Sequence, residues 1–273
     1  MITLKCYDIF PKVLFDLGFI QIHSYGVLAG IGLLFAFFVV KHLNDVKQNF
    51  TSDELFDIIF YAFLGGIIGA RLFYVLFYNL EFYLQNSLQI FAIHKGGLSV
   101  HGGILGGSIA TLIYARRKYY FFLDLADVLA PSLALALAVG RIGNLINGEL
   151  IGRETDFPLG CNYGDGLHRW IYQPIDSFKN FCIFLVLFYL YKNFDFRRGV
   201  ISAFFLIMIG SFRFLTEFIR QPDENLGFII ASFSMGQILA FSTVCLGIMI
   251  LIFIYIFKYD IIIRNINKKG SNH

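Results

Sequence analysis

Seven long apolar runs, separated by short polar segments, limit the folds open to this sequence more than any other feature. The runs fall at about 19–40, 54–78, 98–115, 125–148, 176–191, 200–219 and 235–257. A helix needs about 20 mainly apolar residues to cross a bilayer, so each run is long enough, or nearly so. Only 15% of the 273 residues are charged, against about 25% in average soluble proteins. The sequence therefore predicts an all-α, polytopic membrane protein with about seven transmembrane helices.

The distribution of basic residues predicts the orientation of these spans. The segments after the odd-numbered spans carry twelve Lys and Arg residues, and the opposite side carries six. Because basic residues are enriched in cytoplasmic loops, the N-terminus is predicted outside and the C-terminus in the cytoplasm. The largest extramembrane segment, at about 149–175, is rich in Gly, Asp and Asn and is predicted to form a small irregular cap on the outer side.

This topology predicts three parts of the chain. Residues 1–18 form an interfacial N-terminal segment, in which the weakly amphipathic stretch 1–16 suits an interfacial helix. Residues 19–257 form the seven-span membrane domain, and residues 258–273 form a cytoplasmic tail. The N-terminus lacks the basic region and cleavage site of a removable signal peptide, so the first span is expected to stay in the protein.

Charge and cysteine content exclude some functions. A net charge of +3 is too small to indicate a nucleic-acid partner. The four cysteines stand singly, without a C-x-x-C pair of the kind found in metal and redox sites. They are Cys6, Cys161, Cys182 and Cys245. We interpret them as bystanders.

Strongly polar residues in the apolar runs indicate where chemistry takes place, because a charge in hydrocarbon costs several kcal/mol. With the orientation above, these residues all fall in the outer half of the membrane. They are Tyr25, Arg71, His101, Arg141, Asn144, Glu149, Arg213, Glu217 and Arg220. Lys179, at the outer edge of the fifth run, is interpreted as a lysine that extends its amine to the membrane surface.

Helical spacing places several of these residues on shared faces. Arg213, Glu217 and Arg220 stand at i, i+4 and i+7. Two arginines from different helices directed at one cavity suit a phospholipid headgroup, because a guanidinium donates two parallel hydrogen bonds to phosphate oxygens. The other interpretation is that pairs such as Arg213–Glu217 and Arg141–Glu149 are ion pairs that only hold the helices together.

A glycine-rich segment begins the third run, directly after His101. Its glycines are Gly102, Gly103, Gly106 and Gly107. Glycines spaced by four allow another helix to approach closely, and the N–H groups at a helix start attract anions. His101 is a candidate base, or a structural hydrogen-bonding residue. Gly65 and Gly69 in the second run are interpreted as packing residues.

Four motifs occur in order along the chain. They are GGLSVHGG at 96–103, GRIGNLINGE at 140–149, RFLTEFIRQPD at 213–223 and SMGQ at 234–237. With YG at 25–26, RLFY at 71–74 and Gly152, they resemble the prolipoprotein diacylglyceryl transferases of bacterial inner membranes over residues 21 to about 240. Leu145 and Ile146 stand where an aromatic residue is more usual in that family.

The resemblance implies a seven-span, multi-pass enzyme of the bacterial inner membrane, with a periplasmic N-terminus and cap and a cytoplasmic C-terminus. It would transfer the diacylglyceryl group of phosphatidylglycerol to the lipobox cysteine thiol of a prolipoprotein. A thioether forms and glycerol 1-phosphate is released, as the first step of lipoprotein maturation. The expected partners are phosphatidylglycerol, the signal peptides of prolipoproteins and membrane lipids. No metal, organic cofactor or nucleic acid is expected.

The resemblance also implies functional positions, carried over by matching motif. The catalytic set is Tyr25, His101, Asn144, Glu149, Gly152, Arg213, Glu217 and Arg220, and Arg141 binds phosphatidylglycerol. A free cysteine has a pKa of about 8.5 and histidine about 6.5, so proton transfer to His101 is uphill by only about 2.7 kcal/mol. In the alternative, an arginine-polarised environment lowers the pKa of the thiol itself, and His101 only positions the substrate.

Three other functions fit the composition less well. A transporter or channel would line both halves of the membrane with polar residues, and carriers often contain internal repeats, which this sequence lacks. A scaffold leaves the buried charges unexplained. A metal-dependent phosphatidyltransferase would carry clustered aspartates in its spans.

Overall fold

The computed structural model describes residues 4–6, 10–16, 18, 21–92, 96–158, 160–221, 228–230 and 233–256. Within these residues the chain is mostly helical, with eight α-helices and six short strands. It divides into two compact units. The larger unit comprises residues 1–46 and 127–273, and the inserted unit comprises residues 47–126.

A helix occupies each of the seven predicted runs. These helices are α1 (Ser24–Lys47), α2 (Ser52–Tyr78), α4 (Val100–Arg117), α5 (Phe122–Asn147), α6 (Tyr172–Asn193), α7 (Val200–Thr216) and α8 (Met235–Ile256). A short helix, α3 (Leu80–Gln85), and a 3-10 turn, Ser87–Phe91, follow α2. Five of the helices, α1, α2, α5, α6 and α8, are long and apolar enough to cross a membrane. The protein is therefore a multi-pass membrane protein.

The described part of the N-terminal segment contains strands where the sequence predicts an interfacial helix. Strand β1 (Leu4–Lys5) pairs in parallel with β4 (Cys161–Asn162), and β2 (Val13–Asp16) pairs antiparallel with β3 (Gln21–His23). The helix prediction is wrong here because a short isolated helix is marginal in water, whereas a paired strand gains backbone hydrogen bonds from its neighbour. Strands β5 (Phe228–Ile230) and β6 (Phe233–Ser234) form a second antiparallel pair near the start of α8.

Two of the four cysteines form a disulfide, so interpreting them as bystanders is wrong for this pair. Cys6 and Cys161 are bonded across a sequence separation of 155, while Cys182 and Cys245 are free thiols. The pairing of β1 with β4 brings the two residues together, and the backbone N–H of Cys6 donates to the carbonyl of Asn162 at 2.8 Å. No local sequence motif could reveal a pair so far apart.

In the inserted unit, α2 and α4 pack backbone to backbone through glycines. A Cβ on Gly69 would lie 2.4 Å from the carbonyl oxygen of Gly102, and a Cβ on Gly106 would lie 2.3 Å from that of Gly65. Side chains at these positions would force the helices apart. The packing interpretation of both glycine pairs is confirmed.

Arg71, in α2, binds the segment that precedes α4. It is buried, and its guanidinium donates to five backbone carbonyls at 2.5–3.4 Å. These belong to Gln89, Ile90, Ala92, Gly96 and Gly97. A guanidinium has five N–H donors, and this segment occupies them. Arg71 therefore stabilises the segment and does not belong to the expected anion-binding set.

In the larger unit, glycines and buried polar residues fix the helix contacts. Gly210 of α7 and Gly247 of α8 each lie so close to the other helix that a Cβ would approach its atoms within 3 Å. Asp127 of α5 accepts hydrogen bonds from the backbone N–H groups of Gly199 and Ser202 at 2.7 and 2.8 Å. This carboxylate caps the start of α7 and satisfies N–H groups that a helix leaves unpaired.

The segment between α5 and α6 is irregular, as predicted, although α6 begins at Tyr172, earlier than the sequence suggests. We call residues 148–171 the cap. Burial raises the pKa of Tyr163 to about 12, which favours the protonated hydroxyl that acts as a hydrogen-bond donor. That hydroxyl donates to Oε1 of Gln173 at 2.6 Å, and Nε2 of Gln173 donates to the carbonyl of Glu149 at 2.6 Å. These bonds join the cap to the first turn of α6.

Candidate functional site

Two buried carboxylates organise a cluster of charged side chains in the larger unit. Asp176 lies on α6 and Glu217 directly follows α7, and their side chains are 0% and 1% exposed. Four basic side chains pair with them: Arg141, Lys179, Arg213 and Arg220. We call these six residues the charged cluster. Four cations against two anions give it a net charge of +2, which favours an anionic ligand.

Asp176 joins three helices. Its Oδ2 lies 2.6 Å from Nε of Arg141 on α5, and its Oδ1 lies 2.5 Å from Nζ of Lys179 on α6. Oδ1 also accepts a hydrogen bond from the hydroxyl of Thr216 at the end of α7, at 3.2 Å. A charge this deeply buried is stable only with such partners.

Glu217 joins the end of α7 to the start of α8. Its Oε2 lies 2.9 Å from Nη2 of Arg213, and its Oε1 lies 2.9 Å from Nη1 of Arg220. Oε1 also accepts a hydrogen bond from the hydroxyl of Ser234 at 3.2 Å. The Arg213–Glu217 ion pair of the alternative interpretation is formed. Arg220 also pairs with Glu217, but the predicted helical face does not extend to it, because α7 ends at Thr216 and the backbone of Arg220 bridges to Gly152.

Two of the four cations remain partly accessible. The side chains of Arg141 and Arg213 are 20% and 23% exposed, against 9% for Lys179 and 6% for Arg220. Nη1 of Arg213 donates to the hydroxyl of Tyr172, and Tyr172 interacts electrostatically with both arginines. Arg141 and Arg213 are therefore the members of the cluster that an external anion can reach.

The other expected ion pair is not formed. Arg141 pairs with Asp176, and its Nη1 donates to Oδ1 of Asn144 at 3.2 Å. Glu149 instead accepts hydrogen bonds from the amides of Asn144 and Asn147 at 3.0 and 3.1 Å. The alternative interpretation of an Arg141–Glu149 ion pair is therefore wrong, because Asp176, on a neighbouring helix, pairs with the guanidinium instead.

Tyr25 and Gly152 occupy the border of this region. The ring of Tyr25, on α1, lies against Gly143 of α5, where a Cβ would come within 2.6 Å of the ring. Gly152 pairs with Arg220 in an antiparallel bridge, and a Cβ on Gly152 would lie 2.2 Å from the carbonyl oxygen of Trp170. Gly152 therefore permits close backbone packing beside Arg220.

His101 belongs to the inserted unit. Its backbone lies in the first turn of α4, where the hydroxyl of Ser99 accepts a hydrogen bond from the N–H of Gly102. The side chain of His101 lies outside what the structure describes, as do Pro222 and Asp223 of the third motif. Among the described residues, no group of three or more His, Cys, Asp or Glu is placed to hold a metal ion.

Sequence reasoning missed the contribution of α6. Tyr172, Asp176 and Lys179 all contact arginines or carboxylates of the cluster. Interpreting Lys179 as a surface-seeking lysine is wrong, since its side chain is 9% exposed and paired with Asp176. The available signal was the spacing of Asp176, Lys179 and Asn180 at i, i+3 and i+4 in an apolar run.

Membrane-spanning helices and a buried, positively charged cluster define a class: multi-pass membrane proteins with a polar site among their helices. The family model described as prolipoprotein diacylglyceryl transferase matches residues 12–253. This match covers most of the chain, so the protein belongs to the prolipoprotein diacylglyceryl transferase family.

Individual relatives agree with the family match. A protein of Geobacter sulfurreducens is 40% identical over 240 residues, which cover 86% of this chain and 92% of the relative. A protein of Bordetella parapertussis is 39% identical, covering 88% and 94%, and one of Photobacterium profundum is 37% identical, covering 89% and 92%. All three are named phosphatidylglycerol–prolipoprotein diacylglyceryl transferase.

Proposed function

We propose that this protein transfers the diacylglyceryl group of phosphatidylglycerol to the lipobox cysteine of prolipoproteins, at the bacterial inner membrane. The observation that carries the proposal is the contrast in exposure within the charged cluster. Arg141 and Arg213 are 20% and 23% exposed, whereas the carboxylates that hold them are 0% and 1% exposed. Two fixed, reachable guanidinium groups in a family of this name suit the phosphate of a lipid substrate.

We further propose seven transmembrane spans, with α4 and α7 crossing in addition to the five long apolar helices. Helix α7 has 17 residues, which extend about 26 Å and come close to the hydrocarbon thickness. The N-terminal segment and the cap would lie in the periplasm, and the tail at 258–273 in the cytoplasm. The disulfide between Cys6 and Cys161 supports this orientation, because disulfides persist in oxidising compartments such as the periplasm.

The reaction is a substitution at a glycerol carbon of the diacylglycerol moiety. The cysteine thiol loses its proton, its sulfur attacks the carbon bonded to the phosphate ester oxygen, and the C–O bond breaks as the C–S bond forms. Glycerol 1-phosphate leaves with the bonding pair. Negative charge grows on the departing phosphate, and each fixed donor aimed at such a charge is worth about 3–4 kcal/mol in rate. Arg141 and Arg213 supply these donors.

The remaining motif residues take supporting roles. His101 is the proposed base, since a neutral imidazole matches the thiol within about two pKa units. Glu217 orients Arg213 and Arg220, with which it forms ion pairs. The polar groups of Tyr25, Asn144 and Glu149 contact the headgroup, and Gly152 keeps the cap close to Arg220. Phosphatidylglycerol enters sideways from the bilayer, and the signal peptide presents its cysteine at the outer face.

One assay tests the proposal. Purified protein in detergent receives phosphatidylglycerol and a lipobox peptide, and we measure glycerol phosphate release together with the mass of the peptide. We expect a thioether-linked mass gain for the intact protein and near-total loss for Arg213→Ala and His101→Ala. Arg141→Ala should weaken lipid binding. Intact protein that binds phosphatidylglycerol without modifying the peptide would contradict the proposed reaction.

Two variants of His101 distinguish its role as the base from a role in positioning the substrate. If His101 accepts the proton, His101→Ala loses activity across the neutral pH range, and raising the pH restores part of it by ionising the thiol. If His101 only positions the substrate, His101→Asn retains much of the activity at neutral pH. The measurement is the pH dependence of the transfer rate for both variants.

A further inference from the structure

Asp176 has no place in any of the sequence motifs, yet it makes the shortest contact to Arg141. Its Oδ2 lies 2.6 Å from Nε of Arg141, and its side chain is completely buried. Arg141 itself is 20% exposed. A fully buried carboxylate therefore pairs with an arginine side chain that is itself partly accessible.

The contacts of Arg141 show which of its nitrogens face the protein. Nε faces Asp176, and Nη1 donates to Asn144 at 3.2 Å. Nη2 has no partner in the part of the chain that the structure describes. Asp176 thus pairs with Arg141 on the side of Nε and leaves Nη2 for a ligand.

The two oxygens of Asp176 serve different neighbours. Oδ1 pairs with the amine of Lys179, also on α6, and accepts a hydrogen bond from the hydroxyl of Thr216 on α7. Oδ2 takes Arg141. The contact with Arg141 can therefore be altered separately from the contact with Thr216.

We propose that Asp176 is a positioning residue for phosphatidylglycerol binding: it fixes the guanidinium of Arg141 before the lipid phosphate arrives. A free arginine side chain loses up to about 2 kcal/mol of rotamer entropy when it becomes ordered. Fixing the side chain in advance removes that cost from binding. The inference rests on the proposed function, since it assigns Asp176 to the substrate phosphate of that reaction.

The test compares Asp176→Asn with the conservative variant Asp176→Glu and with two control variants. The amide keeps the size of the side chain but removes the charge that holds Nε. We expect KM and Kd for phosphatidylglycerol to rise about tenfold, because the ion pair that fixes Arg141 is lost. The turnover rate at saturating lipid should fall much less, and Asp176→Glu should restore most of the affinity by restoring the carboxylate.

Thr216→Val is the first control, because it removes only the hydrogen bond to Oδ1 and leaves the contact between Oδ2 and Arg141 intact. Asp165→Asn is the second, because it makes the same substitution in the cap, where Asp165 pairs with Arg169 at 2.6 Å. Both should keep the wild-type KM for phosphatidylglycerol. Thermal unfolding of every variant reports any loss of folding.

Three results would overturn the inference: an unchanged KM and Kd in Asp176→Asn, an equal rise in Thr216→Val, or no recovery in Asp176→Glu. A failure of the proposed function is distinguishable, since wild-type protein would then form no thioether product at all. In that case the Kd for phosphatidylglycerol still decides whether Asp176 positions Arg141 for a lipid phosphate.

Discussion

Gly152 is expected among the catalytic residues, yet its contacts are with the backbone of the cap. A Cβ at this position would lie 2.2 Å from the carbonyl oxygen of Trp170. The neighbouring backbone also pairs with the segment that follows α7, since the N–H of Gln221 donates to the carbonyl of Ile151 at 3.0 Å. The glycine is therefore needed for close approach, and the position of Arg220 depends on it.

Gly152→Ala should displace the cap from Arg220. Overpacking of this kind costs about 1–3 kcal/mol, and an active site misplaced by about 1 Å can lose about a hundredfold in rate. We expect a lower melting temperature and a loss of transfer activity. Gly30→Ala in α1 is the control, because a Cβ there meets nothing within 4 Å. Equal activity in the two variants would show that Gly152 has no such role.

The sequence predicts the site residues that lie in a motif. It does not predict those, such as Asp176, whose role depends only on contacts in the folded chain. The motif marked Arg213, Glu217 and Arg220, and all three meet through the ion pairs of Glu217. Asp176 stood at the start of an apolar run, where a carboxylate is equally compatible with a loop in water. Its role depends on contacts with α5 and α7, and these come from tertiary packing.

At the scale of elements, the SMGQ motif is a helix cap that also holds a functional side chain. The N–H of Ser234 donates to Oε1 of Gln237 at 3.0 Å, and the N–H of Gln237 donates to the hydroxyl of Ser234 at 3.3 Å. These reciprocal bonds form a capping box at the start of α8. Ser234 also donates to Glu217, and the positive end of the helix dipole favours that carboxylate.

The variant Gly236→Ala should have opposite effects on the stability of α8 and on the placement of the Glu217 carboxylate. Alanine is a better helix former than glycine by about 1 kcal/mol, so propensity alone predicts a more stable protein. A Cβ here would lie 2.4 Å from Oε1 of Glu217, which would push the carboxylate away from its arginines. We expect lower transfer activity in a protein that remains folded. Unchanged activity with a higher melting temperature would refute this role of the motif.

The helices themselves follow from the sequence, because bilayer thickness and hydropathy determine them locally. The N-terminal strands do not, since β1 pairs with β4 across more than half of the chain. A two-residue strand has no periodicity to detect. Its existence depends on a partner whose position only the folded chain reveals.

At the scale of the molecule, the surface is that of a protein surrounded by lipid. Large apolar side chains such as Phe38, Phe77 and Met249 are 61%, 70% and 58% exposed. So many large apolar side chains exposed together on a protein in water would favour aggregation. Stability therefore depends on the bilayer for the helices and on specific links for the segments outside them.

The disulfide between Cys6 and Cys161 is the covalent link of this kind. In the chain-entropy account, closing a loop of about 100 residues contributes about 4.7 kcal/mol, and this loop spans 155 positions. The contribution here should be smaller, about 2–4 kcal/mol. Helices that remain in the bilayer restrict the unfolded chain even without the disulfide. Cys6→Ser should therefore lower the melting temperature by several degrees, whereas Cys182→Ala should leave it near the wild-type value.

Thiol counting checks the link directly. Protein denatured without reductant should react with an alkylating agent at two cysteines, Cys182 and Cys245, and at all four after reduction. Protein purified without reductant should then have a higher melting temperature than the same protein kept reduced. Four reactive thiols before reduction would show that Cys6 and Cys161 are not bonded. The support that the disulfide gives to a periplasmic N-terminus would then be lost.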